Sequence, residues 1–159
     1  MDASILGSVI AVLGAALAVI MTGVGSAIGM SWVQQSAAGL VAEEPEKYGK
    51  TMILQLVPSS NALYGFVTGF LVVVPILFGG GGYATVADGL LAAAFCLPIA
   101  IVGMVACLCQ AKVCVAGVNM IAKRGELSGT AIVMAVFIEL FALFALIISV
   151  LGILTLTGM

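Results

Sequence analysis

Charge is what this chain has least of. Five Lys/Arg and seven Asp/Glu make up 8% of its 159 residues, against about 25% in a soluble domain. With 64% hydrophobic residues and a mean hydropathy of +1.35, the only solvent such a surface can face is lipid. There is no histidine, so the commonest metal ligand and general base is missing. The few basic residues form no tract and the net charge is −2, which argues against nucleic acid as a partner. No GxxxxGK[ST] loop occurs, and the GGGG at 79–82 has no Lys-Ser/Thr after it. Nothing is therefore set to cradle a nucleotide phosphate. The chain is expected to be no enzyme, with no catalytic residue and no cofactor. The first twenty residues carry Asp2 but no Lys or Arg. A cleaved signal peptide wants a positive start, so this stretch reads as a first membrane helix.

What is there is apolar and long. Four segments, about 4–40, 51–79, 86–122 and 129–157, each exceed the roughly 20 residues that span a bilayer. They predict an all-α membrane protein of four transmembrane helices. The connections 42–50 and 122–129 are short and polar, and 79–89 is rich in glycine. Lys47, Lys50, Lys112, Lys123 and Arg124 all lie in or near the first and third connections. The positive-inside rule places those two loops in the cytoplasm and both termini outside.

The chain also repeats. Shifted by 80 residues, Gly23 falls on Gly103, Val33 on Val113, Glu46 on Glu126 and Leu63 on Leu143. The repeat predicts two helical hairpins in the same orientation, 1–80 and 81–159. Helices one and three carry sets of small residues at helical spacing. These are Gly7, Ala11, Gly14, Ala18, Thr22, Gly25 and Gly29, and then Gly89, Ala93, Cys96, Ala100, Gly103, Cys107, Gln110, Cys114 and Gly117. Such faces let membrane helices approach closely. They suit either an ordinary two-helix contact or an inner ring of helices from many copies. Phe66, Phe70, Phe137, Phe141 and Phe144 suit an outer ring. The four cysteines fall in one helical segment at spacings that forbid a disulfide and read as small apolar packing residues.

One acid stands out. Glu139 is the only acidic residue from Gly129 to Met159, where a carboxylate costs at least about 2.5–3.5 kcal/mol and defaults to function. No basic residue lies at its depth. Helix two offers Ser59, Ser60, Asn61 and Tyr64 after Pro58, and helix three offers Gln110. Positions 57, 60, 61 and 64 share a helix face, and Pro58 is expected to kink the helix. One carboxylate, hydroxyls and two amides make an oxygen-rich pocket fit for Na⁺. A proton would need only the carboxyl. The excess of oxygens favours Na⁺, with H⁺ as the alternative.

These pieces together, GVGSAIGMSW, PEKYGKTMILQLVPSSNALYGF, CQAKVCVAG and the Glu139 segment, resemble the proteolipid rotor subunits (K or c) of V-type ATPases. The likeness is greatest to the bacterial sodium-translocating members. It covers essentially the whole chain. The resemblance implies a homo-oligomeric ring in a bacterial cell membrane, turning against a stator subunit that carries an arginine. The ring would meet a central stalk at its cytoplasmic loops. It implies Na⁺ ligands from Glu139, Gln110, Ser60, Asn61 and the Val57 carbonyl, with Tyr64 bonding the carboxylate. Two positions depart from the sodium pattern, which has Thr where Ser60 stands and Gln where Asn61 stands. The competing reading is a small independent proton-coupled transporter or channel using the same glutamate. The parallel repeat favours the rotor, because many secondary transporters use inverted halves.

Overall fold

The computed structural model describes residues 2–79 and 82–158. Helix α1 runs Ala3–Glu43, α2 Tyr48–Leu56, α3 Ser60–Phe78, α4 Val86–Lys123 and α5 Ser128–Thr157. Short 3₁₀ turns at Pro45–Lys47, Val57–Ser59 and Gly125–Leu127 join them into four spans long and apolar enough to cross a membrane. With no water available, each span satisfies its backbone internally as helix. The spans reach further into the polar connections than hydropathy suggests. Within the two hairpins the backbone leaves the helical region at corresponding points, Glu44 (φ −134°, ψ 79°) and Arg124 (φ −145°, ψ 94°).

Each connection is fixed by identifiable bonds. Lys47 Nζ donates to the Ala122 carbonyl at 2.7 Å and pairs with Glu44. It thereby ties the first polar turn to the exposed carbonyls closing α4. At the opposite end, Thr85 and Asp88 form a reciprocal capping box that starts α4, which explains the one charge in the glycine-rich loop. Tyr83 folds inward from that loop and is buried. Its hydroxyl donates to the Val72 carbonyl at 3.1 Å, in the turn disturbed by Pro75, which has no amide proton to give. Gly82 adopts φ +62°, open to glycine at no steric cost. The proposed hairpin boundary, between 80 and 81, lies outside the described residues.

The largest interface is α1 against α4. The two helices run parallel, and their small residues meet one another. A Cβ on Gly14 would collide with Ala93 Cα, and one on Gly89 would collide with the Gly7 carbonyl oxygen. All seven small residues of the α1 set are buried, as is the α4 set apart from half-buried Ala93. Within the chain the two sets largely face one another, while Gly117 faces Leu54 and Ala131 instead. The faces left exposed carry larger side chains, among them Leu13, Ile20, Ile101, Phe137 and Phe141.

The apolar core falls into two clusters. One is built around Ala11, Ala18, Cys96 and Ile99, the other around Val33, Leu54, Cys114 and Ile121. Between them lie the buried polar residues Thr22, Ser26, Asn61 and Gln110. This polar waist is where the site sits.

Candidate functional site

Glu139 is carried by α5, about 16 Å along the helix from Ser128 at 1.5 Å per residue. That is near the middle of a hydrocarbon layer of about 30 Å. It is half-buried, and its Oε1 accepts the Tyr64 hydroxyl at 2.5 Å. Tyr64 is aimed there by how α3 lies on α1. A Cβ on the next residue, Gly65, would collide with Thr22 Oγ1 and come 2.6 Å from the Ala18 carbonyl oxygen. The backbone can approach so closely only because Gly65 has no side chain.

A second pair lies deeper. Asn61 and Gln110 are both fully buried. Asn61 Nδ2 donates to Gln110 Oε1 at 3.2 Å, and Gln110 Nε2 donates to the Ala135 carbonyl at 3.2 Å. Ala135 is one helical turn before Glu139 on α5, so Gln110 bridges the amide of α3 to the helix that carries the acid. Asn61 Oδ1 has no hydrogen-bond partner among the described residues.

The third pair is local. Ser60 Oγ donates to the Val57 carbonyl at 2.8 Å. Two of the predicted oxygen donors are therefore bonded to each other, the hydroxyl keeping its lone pairs. Ser59 likewise donates to the Leu56 carbonyl at 2.7 Å. The expected kink at Pro58 takes the form of the 3₁₀ turn Val57–Ser59, with proline inside its first residues. The six predicted residues therefore form three pairs, Glu139–Tyr64, Gln110–Asn61 and Ser60–Val57, drawn from α3 with its preceding turn, α4 and α5.

Some of the surroundings were not read from the sequence. Cys107, one turn from Gln110, lies 3.1 Å from the Pro58 carbonyl oxygen and 3.6 Å from Ser26 Oγ. A cysteine in an apolar run reads as packing, so spacing gave no sign of this contact. All four cysteines are free, with Cys109 exposed and the other three buried. Lys112 is exposed and makes no ion pair with Glu139. Among the described residues the one salt bridge is Lys47–Glu44. No group of three or more His, Cys, Asp or Glu comes together among them. The waist therefore offers a single carboxylate among neutral oxygens. An open apolar groove of about 530 Å³, lined by Ile101, Val105 and Cys109 of α4 and Ile138 and Phe141 of α5, runs along the surface of these two helices.

Comparison with known proteins places the chain in a family. The family profile of the ATP synthase C subunit matches the chain twice, over 13–72 and over 91–152. The V-type sodium ATPase subunit K of Enterococcus hirae is 38% identical over 143 residues, covering 90% of this chain and 89% of the relative. The A-type ATP synthase subunit K of Methanocaldococcus jannaschii is 37% identical over 150 residues, covering 94% of this chain and 62% of that longer relative. With four membrane-type helices, a mid-depth acid and these matches, the chain belongs to the ATP synthase C-subunit family and is an ion-translocating, non-catalytic proteolipid of a rotary ATPase.

Proposed function

We propose that Glu139 carries the ion, that the ion is Na⁺, and that Gln110, Ser60, Asn61 and the Val57 carbonyl supply its remaining oxygens while Tyr64 orients the carboxylate. The observation that carries this reading is Asn61 Oδ1. It is a buried carbonyl oxygen with no partner among the described residues, at a depth where an unsatisfied polar atom costs several kcal/mol. A cation in the pocket gives it a partner. A proton on Glu139 would leave it as it is. The E. hirae relative is a sodium ATPase subunit by name, which supports the same choice.

The mechanism is charge cancellation. One carboxylate and one monovalent cation sum to zero, so the loaded site can face lipid. A divalent ion would leave a net positive charge. At a stator the cation leaves, and a positive group there, an arginine on another subunit, compensates the bare carboxylate. Each unit charge carried across exchanges about 2.3 kcal/mol per 100 mV. That energy passes to or from ATP in a separate soluble sector.

In this reading copies of the chain close into a ring, and the hairpins 1–80 and 81–159 are two versions of one unit. The double match of the family profile supports the latter. The basic residues in and near the turns 42–50 and 122–129 support a cytoplasmic side for both turns, where a central stalk would meet them, with both termini outside a bacterial cell membrane. The reading is tested by carbodiimide labelling of Glu139 in isolated rings. Na⁺ at fixed pH is expected to slow the reaction in a saturable way. A rate that follows pH and ignores Na⁺ would make the coupling ion H⁺.

A further inference from the structure

Behind the ion site three elements meet at one sulfur. Cys107 is fully buried on α4, with the Pro58 carbonyl oxygen 3.1 Å away and Ser26 Oγ 3.6 Å away. A thiol has one proton, and a carbonyl can only accept. The thiol proton therefore goes to Pro58. The Ser26 hydroxyl, which has no other hydrogen bond among the described residues, gives its proton to sulfur. The result is a directed chain from Ser26 on α1, through Cys107 on α4, to Pro58 in the Val57–Ser59 turn. Gly29 lies alongside, where a Cβ would stand in ordinary contact with Cys107 Sγ at 3.4 Å and press on Ala111 at 3.0 Å. Ser59 and Ser60 bond carbonyls of their own segment. Among the described residues, Cys107 supplies the one side-chain hydrogen bond that holds the turn from another helix.

We propose that Cys107 is a positioning residue for the ion site. It fixes the 3₁₀ turn so that the Val57 carbonyl, Ser60 and Asn61 are presented to Gln110 and Glu139. The proposal rests on the ion-site reading above. Alanine at 107 would withdraw the donor and leave the sulfur's small volume empty, and no water is at hand to replace the bond. Serine, with a shorter bond to its heteroatom, would still place a hydroxyl within reach of Pro58.

The test uses purified rings of Cys107→Ala, Cys107→Ser and Ser26→Ala. The Na⁺ concentration that half-protects Glu139 from carbodiimide is expected to rise about 3- to 10-fold in Cys107→Ala, the effect of one lost hydrogen bond. In Cys107→Ser it is expected to stay within about twofold of the parent, and Ser26→Ala is expected to shift it in the same direction as alanine but less. Independently, the Raman S–H stretch of the parent ring is expected to contain a component lowered by hydrogen bonding that vanishes in Cys107→Ser. Should Cys107→Ala not yield rings, that band and Ser26→Ala decide the matter. Absence of the lowered band, or equal protection in alanine, serine and parent rings, overturns the proposal. If parent rings ignore Na⁺, the sodium reading alone fails. The pH midpoint of labelling then replaces Na⁺ protection, and serine must restore what alanine shifts.

Discussion

The two hairpins are built alike and equipped differently. Both leave the helical region at the same relative point, at Glu44 and Arg124, and both continue with a three-residue 3₁₀ turn. After that they diverge. In the first hairpin the second span breaks at Val57–Ser59, and the break is lined with neutral oxygen donors. In the second hairpin α5 runs unbroken for 30 residues and carries the acid. By the 80-residue shift, Ser59 stands where Glu139 stands. To the site the first hairpin supplies only neutral groups, the second supplies the acid and Gln110, and the pairs Glu139–Tyr64 and Gln110–Asn61 cross between them. The difference teaches that the site is a property of the joined pair. The largest helix contact in the chain, α1 on α4, likewise lies between hairpins rather than within one.

The sharpest way to break this comparison is to neutralise the charged half. Glu139→Gln is expected to abolish ion transport and carbodiimide labelling while rings still form, because the amide keeps the shape. Measurable ATP-driven transport by that variant would contradict the assignment. Next in size is the joint between the hairpins. Gly89→Val is expected to eliminate assembled rings in mild detergent, since its Cβ meets the Gly7 backbone, which cannot step aside. Overpacking against flexible neighbours costs only about 1–3 kcal/mol. Tyr64→Phe keeps the aromatic ring but removes the donor on Glu139 Oε1. A hydrogen bond to a charged group is worth about 1.5–3 kcal/mol, so Na⁺ protection of Glu139 is expected to weaken about 10- to 100-fold. The smallest effect belongs to the neutral counterpart. Ser59→Ala removes a hydroxyl that bonds only its own helix, and Na⁺ protection is expected to move less than about twofold. A large effect there would mean that both hairpins touch the ion.

The four spans were legible because hydropathy and length leave a membrane chain few options. Their ends ran longer than expected. Helix continues through residues such as Lys123 and Ala42 until a backbone departure at Arg124 or Glu44 stops it. The residues of the site were legible too, since an acid, two amides and a phenol stand out against an apolar background. Their pairing was not. Placing Val57, Ser60, Asn61 and Tyr64 on one face assumes a continuous α-helix. The turn Val57–Ser59 interrupts it, so spacing alone does not say which of these side chains meet. Ser60 bonds back to Val57, as Ser31 does to Ile28 within unbroken α1, while Asn61 meets Gln110 in the core. The small faces of α1 and α4 were visible, but spacing could not say whether they met each other or another copy. Within the chain they meet each other.

One acid for two hairpins also sets a gear. A ring of given circumference with a carrier on every second hairpin moves half as many ions per revolution as one with a carrier on each. For the same work per turn, every ion can then be driven against twice the voltage. With Glu139 as the carrier, a hydroxyl at Ser59 in place of a second carboxylate would trade throughput for reach, whichever way the machine runs.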